Sequence, residues 1–345
     1  MTVTARAETC VTHQDSQSER IARLIQQAML RSGSFTESLN PFTRDVALWR
    51  AARDQRSRVQ VRAQLLLELV GLAQIEIGPD WTLAGEHLAP SVNGFGFAFQ
   101  NEPCQASPEQ LCALGVAAED APRVRELVRN WVRCPGNVAA ALGAYGIGQT
   151  RPGSDLARAN TGTPATFVYN GGGWIENHSI RDYAKVLRLG FRGIRGEVEA
   201  QLAGLDLADP ETPQRESFLR AALAVCDAGI LLGQRYAERA RALASQASDP
   251  AERARLMQMA ACCARVPAEC ARTLREATQS LWLAHILTCG EDSINANSIG
   301  RMDQILQPYY QADLEASRTT RAEALDLMEE LACKLYLDYD VQAIT

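Results

Sequence analysis

Isoleucine, leucine and methionine return every three or four positions in 18–30, SERIARLIQQAML, placing Ile21, Leu24, Ile25 and Met29 on one face behind a serine. That period predicts an amphipathic helix with a serine cap. A longer amphipathic stretch, 44–73, follows with its apolar density rising toward the end. Residues 73–88, AQIEIGPDWTLAGEHL, alternate instead and contain Gly-Pro-Asp, which predicts a short strand pair or a strand with a turn. Helical spacing resumes in 119–134, where Pro122 sits near the first turn and Val124, Leu127, Val128 and Trp131 share a face. It dominates from 180 onward: 180–202 with Gly190, Gly193 and Gly196, alanine-rich 215–247, and 248–266 opening on Ser248 or Asp249 with Pro250 at the first helical position. Each of the three glycines in 180–202 lowers intrinsic helicity by about 1 kcal/mol against alanine, and glycines on one face let another backbone come close. A proline-led, one-sided apolar helix is predicted over 266–287, VPAECARTLREATQSLWLAHIL. After it, 295–310, NANSIGRMDQILQPYY, reads as a polar, small-residue strand that bends at Gly300 and feeds a short helix ended by Pro308.

Between these elements, 89–175 is the least regular part of the chain. Its glycines Gly143, Gly146 and Gly148 have neither dinucleotide-fold nor phosphate-loop spacing, and no buried strand precedes them. A flexible connection or close backbone approach fits them better than nucleotide binding.

Composition narrows the function classes without choosing among them. A net charge of -6 lacks the clustered basic face that a nucleic acid would require. No stretch approaches the about 18 uninterrupted apolar residues of a membrane span, and the first twenty residues hold no apolar core of signal-peptide length. The ten cysteines contain no C-x-x-C pair, so neither a disulfide scaffold nor a structural zinc site is expected. His285 and Cys289, one helical turn apart, read as core packing in the absence of a second pair. A reducing cytoplasm is the expected compartment.

Four segments, 176–194, 224–244, 266–287 and 295–310, together resemble the N-terminal half of glycyl radical enzymes, the superfamily of pyruvate formate-lyase and B12-independent glycerol dehydratase. The resemblance runs in order from about residue 18 and is strongest over 176–312. It rests on R-T-x-x-E-A-x-Q-S-x-W at 272–282, then G-R-x-D-Q at 300–304 and P-Y-Y at 308–310. What it implies is an α/β, predominantly helical fold: a helical shell plus the N-terminal half of a ten-stranded barrel over 18–345, after a disordered tail at 1–17. It further implies a protein glycyl radical, installed by an S-adenosylmethionine radical activase, that generates a thiyl radical on a cysteine. The barrel keeps water and stray hydrogen donors from the carbon radical.

The chain departs from the family where the chemistry starts. It contains no Gly-Cys dipeptide of the thiyl loop and no R-V-x-G-Y-like radical loop. No catalytic residue, metal or cofactor is therefore expected in it, and it is read as truncated and inactive alone. The partners implied are a small-molecule substrate, a C-terminal half or second subunit, the activase, and a second copy in a homodimer. Cys262, Cys263 and Cys270 are read as packing residues. For substrate binding the resemblance points to His178 and, 117 positions on, to Asn295, Ala296, Asn297 and Ser298. His178 equally suits a helix cap together with Asn177. Asn295 can donate and accept hydrogen bonds but cannot serve as general acid or base, and Arg301 is expected to pair with an acid at the turn. A derived non-catalytic helical binding module is the alternative reading.

Overall fold

The structure, a computed structural model, describes residues 18–31, 43–54, 56–85, 107–133, 180–292 and 298–339. Its elements are α1 (Glu19–Arg31), α2 (Thr43–Ala52), α3 (Arg58–Leu72), α4 (Pro108–Ala113), a 3-10 turn (Ala118–Asp120) and α5 (Ala121–Arg133). After 180 come α6 (Tyr183–Ala203), α7 (Thr212–Gln246), α8 (Pro250–Arg265), α9 (Leu274–Asp292), α10 (Met302–Glu315) and α11 (Arg321–Tyr339). Among the described residues there is no strand, so the helical part of the expected α/β fold is present and a half barrel is not seen. The glycine loops at 141–154 and 168–179 and the tail at 1–17 lie outside the described residues.

The 35-residue α7 is the hub, packed by α3, α6 and α8. Its buried residues include a run of small ones, Ala228, Gly229, Gly233, Ala237 and Ala240, beside the larger Leu232 and Tyr236. The absence of a side chain at Gly229 leaves room for the Phe191 ring. A Cβ on Gly233 would meet the carbonyl oxygens of Cys263 and Val266 at 2.9 Å. Small residues here let backbones approach and bring α6 and the end of α8 onto one core.

The stretch 44–73 is two helices rather than one. The second helix, α3, starts on a capping box in which Ser57 Oγ accepts from Gln60 N and Gln60 Oε1 accepts from Ser57 N. Asp249, not Ser248, caps α8 by accepting from Ala251 N and Glu252 N. The helix read from Pro267 begins seven residues later, at Leu274. The intervening 266–273 instead crosses α6, and that crossing breaks α6 at Gly190 (φ 65°, ψ 169°). Backbone groups freed by the break are paired across it: Phe191 N donates to Pro267 O and Arg192 N to Ala268 O, both at 2.9 Å, and Ala271 N donates to Leu187 O at 2.8 Å. Close approach therefore applies to Gly190; nothing lies within 4 Å of a Cβ on Gly196, and Gly193 meets only Leu189 of its own helix.

Pro308 does not end its helix, since α10 runs through it to Glu315. A proline there removes one hydrogen bond to Gln304 O. The helix is held beyond it by Asp313, a buried carboxylate that accepts from Leu274 N and Arg318 Nε, each at 2.7 Å.

Cys262 and Cys263 are buried core residues and Cys270 is half-buried, as packing roles require. Burial, with Glu276 nearby, pushes the Cys262 thiol up from 9.0 to about 12, and burial raises Cys263 well above its ordinary value. The unfolded chain releases these protons near pH 9 while the folded chain retains them, so stability falls as pH rises from there toward the folded values. Urea unfolding should lose up to about 1.4 kcal/mol per pH unit for each such thiol. Cys262→Ala should flatten that alkaline limb, whatever it costs in packing; an unchanged slope would contradict the assignment.

Candidate functional site

The motif at 272–282 folds into the first turns of α9, and Arg272, Thr273, Glu276 and Gln279 in it bind protein groups, while the buried Ser280 hydroxyl has no hydrogen-bond partner among the described residues. Thr273 Oγ1 accepts from Glu276 N, and Arg272 wraps back onto the Glu276 carboxylate through its backbone N, Nε and Nη2. Gln279, fully buried, reads the backbone of residue 84 as a neighbouring strand would: Oε1 accepts from Ala84 N and Nε2 donates to Ala84 O, both at 2.8 Å. Trp282 Nε1 donates to Gly85 O at 3.3 Å.

The segment they grip is the predicted strand pair. Residues 73–85 form no ladder; 86–88 lie outside the described residues. From Trp81 to Gly85 the chain has no regular secondary structure, and side chains take the place of the missing strands. Glu330 of α11, with none of its surface exposed, accepts from Thr82 N (2.6 Å), Leu83 N (2.7 Å) and Thr82 Oγ1 (2.6 Å). Arg20 of α1 completes the arrangement by donating to Glu330 at 2.7 Å, to Asp80 O at 3.0 Å and to Asp326. Burial opposes its charge, yet the two carboxylates outweigh that and hold the guanidinium above its ordinary pKa. Lys334 Nζ donates to Gly85 O at 3.0 Å and lies 4.2 Å from the Trp81 ring centroid, a buried cation against an aromatic face. At the open end, a salt bridge with Arg23 keeps the Asp80 carboxyl below its usual range.

A second junction lies where α6 and α10 begin. Gly300 has φ +79°, the left-handed conformation that the predicted bend requires, and a Cβ on it would lie 2.7 Å from Ile180 Cγ2. Arg301 pairs with Asp303 at 2.7 Å, the acid expected at this turn. Ser298 is exposed, and its hydroxyl accepts from Gly300 N at 3.2 Å. His178, Asn295, Ala296 and Asn297 lie outside the described residues. The structure thus brings together residues 180 and 300, which follow the two predicted site segments by two residues each. Behind this junction, Tyr183 Oη lies 3.0 Å from His285 Nδ1 in full burial. His285 is a core residue, as its sequence context indicates, and among the described residues no group of three His, Cys, Asp or Glu could hold a metal ion. Likewise, no described helix is long and apolar enough to cross a membrane.

Glu330, Gln279 and Lys334 were not predicted as interacting residues. The available signal was weak: two lysines in the chain, one inside an apolar helix, and a glutamine inside a recognised motif.

Comparison with known proteins gives this arrangement a context. The family model described as PFL-like, pyruvate formate lyase-like, matches residues 160–342. Isethionate sulfite-lyase of Desulfovibrio desulfuricans is 41% identical over 152 residues, 44% of this chain and 18% of that protein. Trans-4-hydroxy-L-proline dehydratase of Clostridioides difficile is 36% identical over 151 residues, 43% of this chain and 19% of that protein. Among solved structures, the glycerol-bound B12-independent glycerol dehydratase from Clostridium butyricum superposes with a TM-score of 0.68 at 26% identity. That superposition covers 93% of this chain and 40% of the dehydratase. The chain therefore spans less than half the length of these relatives.

Proposed function

The chain belongs to the pyruvate formate lyase-like family, and from that premise we propose that it forms the helical shell and part of the substrate pocket of a glycyl radical lyase or dehydratase. The reaction class is radical cleavage of a C–C, C–O or C–N bond in a small polar metabolite; the hydroxyproline and glycerol dehydratases among its relatives break C–O, while the isethionate sulfite-lyase, which expels sulfite, extends the class to C–S. In this reading the 18–345 region supplies half of a barrel wall, and the rest of the enzyme carries the thiyl cysteine and the radical glycine, the latter charged by a radical activase. The radical supplies hydrogen-atom abstraction; the residues of this chain bind the substrate, orient it and exclude water.

The contact of Ile180 with Gly300 carries the proposal. It supports a common pocket for His178 and for Asn295, Ala296, Asn297 and Ser298, because each set precedes one side of the same junction. His178 offers a hydrogen bond to a substrate hydroxyl or acid group; Asn295 offers an uncharged donor and acceptor. The buried grip on residues 80–85 supports the same reading by giving the wall a rigid backing.

The test is anaerobic reconstitution of this chain with the remaining polypeptide and the activase, assayed on isethionate, trans-4-hydroxy-L-proline and glycerol. One substrate of this class should turn over. His178→Ala and Asn295→Ala should each lower kcat/KM by about tenfold to a hundredfold, the loss of one hydrogen bond to a polar substrate. Full turnover by an assembly lacking this chain would refute the proposal, as would unaltered kcat/KM in both variants.

A further inference from the structure

Four aromatic side chains and one cation form a buried row that substrate binding does not use. Tyr183 and His285 meet at 3.0 Å between Oη and Nδ1, with ring centroids 6.2 Å apart. The His285 and Trp282 rings follow at 5.7 Å, inclined by 32°. Lys334 Nζ stands 5.8 Å from the Trp282 centroid and 4.2 Å from that of Trp81. All five residues are at most 4% exposed.

The two ends of the row differ in what they do with a missing electron. Oxidised tryptophan is a cation unless its indole proton leaves. Trp282 Nε1–H points at a carbonyl oxygen, Gly85 O, which is a poor proton acceptor. The neighbouring ammonium raises the energy of a second positive charge on either indole. Tyrosine oxidation, by contrast, is easy only when the phenol proton has a base to go to, and imidazole at hydrogen-bond distance is such a base. Burial strengthens that bond and keeps water from competing for the proton.

We propose that Tyr183 and His285 form a one-electron storage site, with Trp282 as the relay through which an oxidant draws the electron. The phenol O–H bond of Tyr183 breaks and a bond from that hydrogen to Nδ1 of His285 forms. The electron passes to a one-electron oxidant, such as a photogenerated metal-complex oxidant. The products are a neutral tyrosyl radical, an imidazolium and the reduced oxidant, so charge and atoms balance. The site is independent of the substrate assignment above, because it needs no substrate and no radical glycine.

The test is flash-quench oxidation of the chain with a photogenerated ruthenium(III) polypyridyl, followed by transient absorption and freeze-quench EPR. A tyrosyl spectrum should form after a short-lived tryptophan radical, more slowly in deuterium oxide. Tyr183→Phe should abolish it and leave the tryptophan signal standing. Persistence of the full tyrosyl signal in that variant would assign it to another of the eight tyrosines and overturn the proposal. A second measurement needs no variant. Protein labelled with 15N-histidine should show nitrogen hyperfine coupling to the radical, and absence of that coupling would overturn the pairing.

Discussion

Replacing Glu330 by alanine should cost about 3–5 kcal/mol of folding stability, the range found when one member of a buried ion pair is removed. The carboxylate is fully buried and serves four donors at once: Thr82 N, Leu83 N, Thr82 Oγ1 and Arg20 Nη1. Its removal strands two backbone N–H groups, each at about 1–3 kcal/mol, and these losses overlap rather than add. Glu330→Gln keeps an acceptor oxygen near the amides and forfeits the charge opposite Arg20, so it should cost about half as much. The double change Arg20→Leu with Glu330→Leu separates two explanations. Swapping a buried ion pair for apolar residues is often neutral, but here the amides of Thr82 and Leu83 would remain without acceptors, and stability should not recover. Urea unfolding gives the energies, and hydrogen exchange at those two amides gives the locality. A loss below about 1 kcal/mol in Glu330→Ala would contradict the burial of this group.

Gly190→Ala should destabilise by about 3–5 kcal/mol, while Gly196→Ala in the same helix should stabilise by about 0.5–1 kcal/mol. At Gly190 the backbone lies in a region that only glycine occupies cheaply, worth about 1–3 kcal/mol. An added Cβ would also collide with Ala268 O and the backbone of Glu269, where overpacking costs about another 1–3 kcal/mol. Neither the backbone of 266–271 nor the helix can retreat without breaking the three hydrogen bonds that join them. At Gly196, exposed and with nothing within 4 Å, alanine removes only the conformational freedom of the unfolded chain. Thermal unfolding of both variants should therefore shift in opposite directions. A stabilised Gly190→Ala would show that the crossing segment is not where it has been described.

The contrast between these two glycines measures what was legible in the sequence. Apolar periodicity located α1, α5, α7 and α8 to within a few residues, because each buries a face whose spacing is set by 3.6 residues per turn. Local chemistry was legible too: Asp249 with Pro250 starts α8, Gly300 makes the bend, and Arg301 finds Asp303 two residues on. The Ser57–Gln60 box, which splits 44–73 into two helices, was readable by the same rules. Membership of the family was carried by the motif at 272–282 and the turn at 300–304, and Gln279 and Glu276 of that motif bind the chain's own backbone.

By itself, then, the sequence determined the helices, their caps and the family, since all of these depend on neighbours within a few positions or on a motif read in order. Only the tertiary structure decided that the alternating residues 81–85 are gripped by side chains, that α6 breaks at Gly190, and that α10 continues past Pro308. Each of those outcomes rests on partners far along the chain. Glu330 lies 248 residues from Thr82 and Gln279 lies 195 from Ala84. Segment 266–271 crosses α6, and Leu274 N and Arg318 hold Asp313. A backbone group left without its local hydrogen bond must find another when buried, and which one it finds depends on the packing of the whole core.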